Sequence, residues 1–191
     1  LIGDIGGTNA RFAIVGRDGA IGSAVTVGTA DYATMDEAIA ALLAGYQGEP
    51  PASAVLAIAG VIHGEEIALT NCHWVAVPRR LIDGLGFRDV ILLNDFEALS
   101  LSLPGLGGDE LQFIGPDNRV PTGPRLVLGP GTGLGAGALL RIGGAWAPIP
   151  GEGGHLDIGP RSEREEQIWP HIERIGGRVS GGFALAFGGH G

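Results

Sequence analysis

Apolar runs and glycine-rich turns alternate through the first part of the chain. Leu1–Ile2 and Ala10–Val15 flank the segment Gly6–Asn9, and two apolar runs around a short glycine turn predict a β-hairpin. Thr34 then precedes apolar residues at helical spacing, and Glu37 completes a capping box with it, so a helix is predicted here. The apolar positions of this helix are Met35, Ala38, Ile39, Leu42, Leu43 and Tyr46.

Two strands, a hairpin and a second helix are predicted next. Val55–Ala59 predicts a buried strand, and Val61–Leu69 predicts a hairpin with its tip at Gly64. Val90–Leu93 is a short, uninterrupted apolar run, which is typical of a strand that is covered on both faces. Phe96–Leu103 then predicts a helix, which the following proline and glycine end.

The opening pattern returns in the second half of the chain. Residues 105–125 are rich in glycine, proline and charge, so we place a boundary there between a small lobe, 1–105, and part of a large lobe, 106–191. Beyond it, Leu126–Leu128 and Ala136–Leu140 flank the turn Gly129–Gly135, which makes a second β-turn-β unit.

The last predicted element is a helix near the end of the chain. Ser162 and Glu165 offer a capping box, and apolar residues follow at helical spacing as far as Ile175. Pro170 should kink this helix because a proline has no amide hydrogen to donate.

Composition excludes several classes of protein. Of 191 residues, 45% are hydrophobic and 17% are charged, which is enough for a core and too little charge for disorder. No apolar run reaches the 18 or so residues that a membrane-spanning helix needs. The net charge of -9 disfavours nucleic acid as a partner, because binding a phosphate backbone requires a basic surface.

Three residue counts narrow the chemistry further. All 12 basic residues are arginine, which excludes the lysine of a Schiff base or of a P-loop. Cys72 is the one cysteine, so the sequence holds no internal disulfide or multi-cysteine zinc site, and a reducing, cytoplasmic setting is expected. The 36 glycines cluster beside apolar runs, which indicates backbone held close to another group.

The segment Gly3–Asn9 is the first candidate for chemistry. Backbone amides beside Gly6 and Gly7 can approach phosphate oxygens, Thr8 adds a hydroxyl, and Asp4 can hold Mg²⁺ through water. The alternative is a plain hairpin turn that an aspartate side chain caps.

The segment Gly129–Gly137 is the second candidate. Glycine at alternate positions leaves one face of the chain bare, so that a phosphate chain or a neighbouring backbone can approach it. The spacing also satisfies a dinucleotide-binding motif, but that motif requires a helix next, and 138–142 predicts a strand instead. A glycine-rich strand without a ligand stays the alternative.

Asn94 and Asp95 follow the predicted strand Val90–Leu93. Ligands of open α/β sheets collect at the carboxyl ends of such strands. There Asp95 could accept a proton from a substrate hydroxyl that Asn94 fixes. Taken alone, the pair is more typical of an N-cap for the next helix.

The loop Pro150–Asp157 is the last candidate. Glu152 and His155 can point into one pocket and offer an acceptor and a donor to a polyol. A metal site from His155 and Asp157 is a weak alternative, because a third ligand is missing.

Taken in order, these motifs resemble the bacterial ATP-dependent glucokinases, which have the hexokinase-type, actin-like ATPase fold. The resemblance covers roughly 1–178 and rests on Gly3–Phe12, Leu69–Trp74, Leu92–Ala98, Leu128–Gly137 and Pro150–Asp157. It implies an α/β, ribonuclease-H-like fold of two lobes with a truncated large lobe. The change of pattern at Ser180–Gly181 is expected to mark a deletion or an omitted segment, and the adenosine-binding glycines are not found.

The resemblance also implies roles for single residues. The first turn would be the phosphate-1 hairpin and the second the phosphate-2 hairpin, with Asp95 as catalytic base and sugar contact. The remaining implied residues are Asp4 for the metal, Gly6, Gly7, Thr8, Asn9, Gly131, Thr132 and Gly133 for ATP, and Asn94, Glu152 and His155 for glucose.

The implied reaction is transfer of the γ-phosphoryl group of ATP to O6 of glucose, with Mg²⁺, in cytoplasmic glycolysis. A homodimer stays open. One alternative is a non-catalytic sugar-binding fragment or regulator that lacks the adenosine-binding segment. Another is an actin-like ATPase with a protein partner.

Overall fold

The computed structural model describes residues 1–112, 114–115, 122–130, 134–149 and 159–172. The chain divides into two compact units, Leu1–Ala98 and Leu99–Gly191. The predicted boundary near residue 105 stays a prediction. In the described residues, no helix is both long and apolar enough to cross a membrane.

A five-stranded mixed sheet organises the first unit. Its strands are β1 (Ile2–Ile5), β2 (Asn9–Ala13), β3 (Val25–Gly28), β4 (Ser53–Ile58) and β7 (Asp89–Asn94), in the order β3-β2-β1-β4-β7. β1, β2 and β3 are antiparallel neighbours, whereas β4 is parallel to β1 and β7 is parallel to β4. The predicted opening hairpin is confirmed as β1 and β2.

Two helices and a small hairpin complete this unit. They are α1 (Met35–Gly45) and α2 (Pro78–Leu85), with the two-stranded pair β5 (Ile67–Ala68) and β6 (Val75–Ala76). A third helix, α3 (Asp95–Ser102), begins in the first unit and ends in the second. One 3₁₀ turn, Thr29–Asp31, follows β3, and another, Leu103–Gly105, follows α3. The helix predicted from Phe96 to Leu103 is therefore confirmed to within a residue at each end.

Local signals account for where α1 and α2 begin and end. The Thr34 hydroxyl oxygen accepts the amide of Glu37 at 3.2 Å, and the Glu37 carboxylate accepts the amide of Ala33 at 3.1 Å, one residue before the cap. α2 begins with a proline and ends at Gly86, whose left-handed φ of 77° suits glycine. Arg80 of α2 hydrogen-bonds Asp36 of α1, and this bond raises the pKa of the Arg80 guanidinium.

The core lies between the sheet and the helices. Ile5, Phe12 and Leu56 from the sheet are almost fully buried, as are Met35 and Ile39 from α1. Each such side chain contributes about 1.5–3 kcal/mol by leaving water. The rest of the buried cluster includes Leu1, Ala10, Ala38, Ala54, Ile58, Ile67, Leu69, Trp74, Ala76, Leu81 and Phe87.

Two expectations for the first unit are wrong. Val61–Leu69 does not form a hairpin around Gly64, because β5 pairs with β6 instead, and Val61 is 63% exposed. β7 is not covered on both faces, since Ile91 is 47% exposed. β7 pairs with β4 along one side in the five-stranded sheet, and only Val90 and Leu92 of its apolar residues pack against the core cluster.

A three-stranded antiparallel sheet lies in the described part of the second unit. Its strands are β8 (Arg125–Pro130), β9 (Leu134–Ile142) and β10 (Ala145–Ile149), in the order β10-β9-β8. β8 and β9 are the strands predicted on either side of the second glycine turn, and Pro130 is the partner of Leu134 in their register. Arg125 lies 4.6 Å from the centre of the Trp146 ring and donates to the carbonyl of Leu103 at 2.8 Å.

The helix predicted near the end is shorter than expected. α4 (Glu163–Ile168) begins after Ser162, whose hydroxyl oxygen accepts the amide of Glu165 at 3.3 Å. It ends before Pro170, which lies in the 3₁₀ turn Trp169–His171, so the proline follows the α-helix and does not kink it. Another 3₁₀ turn, Gly108–Glu110, precedes the sheet. The predicted positions beyond Ile172, and Ser180–Gly181, lie outside the described residues.

Candidate active site

Three parallel strands bring the candidate residues of the first unit to one edge of its sheet. Ile5, Ile58 and Asn94 are partners across β1, β4 and β7, and each is the last residue of its strand. The ends of β1 and β7, which the turn and Asp95 directly follow, are therefore about 10 Å apart, or twice the spacing of neighbouring strands. This is the edge at which open α/β sheets bind ligands.

The turn between β1 and β2 is held from one side by Thr29. The Thr29 hydroxyl lies 2.9 Å from the carbonyl oxygen of Gly7 and 3.1 Å from that of Thr8, and the Thr29 amide donates to the Thr8 carbonyl at 2.9 Å. Thr29 is only 4% exposed, so these bonds are shielded from water. The Gly6 amide donates to the Asn9 carbonyl at 3.0 Å.

These bonds leave two donors in the turn. Among the hydrogen bonds of the described residues, none uses the amide of Gly7 or of Thr8. Thr8 is exposed and Gly7 is half-buried, so both amides belong to a surface turn. Successive backbone amides in a turn make an anion-binding concavity, and the hydroxyl of Thr8 adds another donor.

The turn is approached from a second side by Asn71, which lies between β5 and β6. A Cβ placed on Gly7 would lie 2.9 Å from the Asn71 carbonyl oxygen and 3.1 Å from the Asn71 Cβ. Asn71 has a left-handed φ of 56°, the one positive φ of a residue other than glycine in the described residues. Asparagine is among the few residues that adopt this conformation readily.

Asp4 lies on β1 before the turn. It is the register partner of Arg11 on β2, and its carboxylate forms an ion pair with Arg11 at 3.4 Å. Its side chain is 61% exposed. The described residues contain no cluster of three or more acidic, histidine or cysteine side chains that could hold a metal. A single carboxylate nevertheless suits Mg²⁺, which takes most of its ligands from water and phosphate in nucleotide sites.

Asn94 caps α3. Its Oδ1 accepts the amides of Phe96 at 2.9 Å and Glu97 at 3.3 Å, and its Nδ2 donates to the carbonyl of Gly60 at 3.0 Å. The alternative that the sequence left open, an N-cap, is therefore realised by Asn94. Within the described residues, the second hydrogen of its Nδ2 group has no acceptor.

Asp95 is the first residue of α3 and is half-buried. Its Oδ1 accepts the amide of Phe96 at 3.0 Å. A carboxylate in the first turn of a helix is stabilised by the positive end of the helix dipole. Asp95 is thus an ionisable group fixed at the same sheet edge as the turn after β1.

The other candidates lie outside the described residues. These are Gly131, Thr132 and Gly133 of the second turn, and Glu152 and His155 of the last loop. Conversely, Thr29 and Asn71 shape the first turn, and the sequence reasoning assigned neither of them a role. Asn71 offered a signal, because asparagine tolerates a left-handed φ, whereas Thr29 offered none.

The sequence model of the glucokinase family matches residues 1–191. The chain belongs to the glucokinase family. Glucokinase from Brucella suis is 54% identical over 184 residues, which are 95% of this chain and 53% of that protein. Glucokinase from a Chelativorans species is 53% identical over 182 residues, 95% of this chain and 53% of that protein. This glucokinase-family chain thus spans about half the length of the curated relatives it matches.

Solved structures confirm the actin-like ATPase fold. A glucokinase from an Antarctic psychrotroph matches with a TM-score of 0.79 and 29% identity, over 90% of this chain and 55% of that one. A ROK family glucokinase from Streptomyces griseus, in complex with glucose and AMPPNP, matches with a TM-score of 0.55 and 22% identity, over 84% of this chain and 51% of that one. The latter shares the fold.

Proposed function

We propose that the first unit of this glucokinase-family chain supplies the phosphate-1 turn and the catalytic base of an ATP-dependent glucose kinase. The reaction is transfer of the γ-phosphoryl group of ATP to O6 of glucose. The observation that carries this proposal is the placement of the turn Gly6–Asn9 and of Asp95 at one sheet edge, two strands apart. The identity to glucokinases along 95% of the chain supports it.

The turn would hold phosphate oxygens. The amides of Gly7 and Thr8 and the hydroxyl of Thr8 are donors at an exposed turn, while Thr29 occupies the two carbonyls. Phosphoryl transfer relies mainly on alignment and on neutralising charge, which fixed donors of this kind provide. Gly6 and Asn9 close the turn by their own hydrogen bond and keep it in shape.

Asp95 would accept the proton of the O6 hydroxyl as the oxygen attacks phosphorus. Its neighbour Asn94 is tied to Gly60 and to the first amides of α3, so the carboxylate starts from a fixed backbone. The second hydrogen of the Asn94 amide group would be donated to a sugar hydroxyl. Glu152 and His155 stay the predicted contacts for other hydroxyls, and Gly131, Thr132 and Gly133 the predicted second phosphate turn.

Asp4 would hold Mg²⁺ through water. The ion supplies charge neutralisation to the phosphate chain when it is bound. Arg11 contacts one oxygen of the same carboxylate, Oδ2, and Oδ1 is the oxygen that would accept from a water ligand of the ion. A cytoplasmic setting, a homodimer and ATP and glucose as the partners also stay predictions.

A conservative change of Asp95 tests the assignment. We suggest a full-length hybrid enzyme in which this chain replaces the matching half of the Brucella suis glucokinase. Asp95→Asn keeps an oxygen for the Phe96 amide but cannot take a proton, so kcat should fall about 10²–10⁴-fold. Asp89→Asn, at the other end of the same strand, is the matched control and should leave kcat unchanged.

Two assays separate the candidate functions. ADP release is measured with and without glucose, and glucose binding is measured by calorimetry. Loss of ADP release in Asp95→Asn with a glucose Kd within about tenfold supports the proposal. Heat of glucose binding without ADP release in the unmodified hybrid indicates a sugar-binding module. ATP turnover that ignores glucose indicates an ATPase with another partner.

A further inference from the structure

Thr29 lies beneath the first turn, where it contacts no substrate in the proposed function. Its side chain and amide make three hydrogen bonds, and all of them go to the carbonyls of Gly7 and Thr8. A peptide carbonyl and the amide of the next residue point in opposite directions. Fixing the Gly7 carbonyl therefore fixes the direction of the Thr8 amide, which is one of the two available donors.

Thr29 is itself held in place by a wider arrangement. It begins the 3₁₀ turn Thr29–Asp31, and the next residue, Tyr32, presents its carbonyl to two side chains. Trp74 Nε1 donates to this carbonyl at 3.0 Å, and His73 Nε2 lies 3.0 Å from it. Since a carbonyl only accepts, Nε2 of His73 carries the hydrogen here.

These contacts link the two segments that touch the turn. His73 and Trp74 belong to the same loop as Asn71, which packs on Gly7. The segment with Thr29 and the segment with Asn71 are thus tied to each other through Tyr32 as well as to the turn. Trp74 is 1% exposed, so the tie between the two segments is anchored in the core.

We propose that Thr29 is a positioning residue for the phosphates of ATP, acting through the orientation of the Thr8 amide. This inference rests on the proposed function for its ligand. The buried hydroxyl of Thr29 raises the affinity for the phosphate chain of ATP and does not change the affinity for the sugar. The Thr29 hydroxyl hydrogen is shared by the two carbonyls, so an apolar side chain of the same size cannot replace it.

The test is a graded series at this position in the hybrid enzyme. Thr29→Ser keeps the hydroxyl, Thr29→Cys keeps a weak donor, and Thr29→Val keeps the shape without a donor. Thr29→Val should raise the KM for ATP about tenfold, which is the typical effect of one lost hydrogen bond in a shielded site, with the KM for glucose within about twofold. Thr29→Ser should restore the original KM and Thr29→Cys should fall between.

Thr26→Val is the matched control, because Thr26 is exposed on the neighbouring strand β3. An unchanged KM for ATP in Thr29→Val overturns the inference. So does an equal rise of both KM values that serine does not reverse, because that result indicates a merely structural role. If Thr29→Val does not fold, the order of the serine and cysteine variants decides.

Failure of the proposed function is read separately. If the unmodified hybrid does not phosphorylate glucose, the proposed function fails, and the Kd for AMPPNP with Mg²⁺ replaces the KM for ATP. A Kd about tenfold weaker in Thr29→Val supports the positioning role, and an equal Kd overturns it. If Asp95→Asn loses turnover while Thr29→Val binds nucleotide normally, the proposed function stands and this inference falls.

Discussion

Replacing Gly7 by alanine should damage the turn more than any other single methyl group added there. The new Cβ would lie 2.9 Å from the backbone oxygen of Asn71 and 3.1 Å from its Cβ. An ordinary contact of this kind is about 3.4 Å or longer, so the turn and the loop have to separate by roughly 0.5 Å. Neither partner is the end of a flexible side chain, and the hydrogen bonds from the Asn71 loop to Tyr32 resist the separation.

The cost follows from this geometry. Overpacking of a fitted contact costs about 1–3 kcal/mol. In a unit of this size that corresponds to a Tm lower by roughly 5–15 °C. The displaced amides of Gly7 and Thr8 would also meet the phosphates poorly, so we expect the KM for ATP to rise about tenfold while the KM for glucose changes little.

Two other glycines calibrate the measurement. A Cβ on Gly6 would lie 3.4 Å from the Asn9 carbonyl oxygen, so Gly6→Ala should shift Tm far less than Gly7→Ala. A Cβ on Gly45, at the end of α1, would meet nothing within 4 Å, so Gly45→Ala should leave ATP binding unchanged. Melting curves and steady-state kinetics of the three variants are compared. If Gly7→Ala melts and binds ATP like Gly6→Ala, the contact with Asn71 does not constrain the turn.

Two further substitutions test the local geometry. Asn71→Gly should keep the left-handed backbone and change Tm little, whereas Asn71→Ala should destabilise the chain by about 1 kcal/mol. Equal Tm values for the two variants would contradict the φ of 56° at this position. Thr34→Ala removes the hydroxyl that caps α1 and should lower the free energy of unfolding, measured in urea, by about 1 kcal/mol. Thr26→Ala is the control, and equal unfolding midpoints of the two variants would show that the cap is not formed in solution.

Elements with a local cause were predictable from the sequence. Three such elements were confirmed: the β1–β2 hairpin, the start of α1 and the end of α3. Each depends on residues close in sequence, namely the turn glycines, the hydroxyl of Thr34 and the proline after α3. Gly64 also adopts the left-handed backbone of a turn, with a φ of 84°, but β5 pairs with β6 and not with the residues before Gly64. The local turn was therefore predictable, whereas the pairing partner of β5 was not.

The parts of the site that the sequence missed depend on long-range contacts. Thr29 reaches the turn across 22 residues of sequence, and Trp74 reaches Tyr32 across 42. No motif or residue spacing in the sequence indicates either of these hydrogen bonds. Asn94 and Asp95 were correctly predicted to follow a parallel strand. Their place could be predicted because the carboxyl ends of parallel strands lie at one edge of the sheet.

The same topology limits how the proposed base and turn can move. Asp95 and the turn after β1 are both one residue beyond paired strand ends, and β4 lies between those strands. The separation of the two strand ends, about 10 Å, is therefore set by two rows of backbone hydrogen bonds. Groups held by strands keep their positions better than groups on free loops. A disturbance of phosphate binding should consequently come from rotation of the amides within the turn, which is the motion that Thr29 and Asn71 restrict.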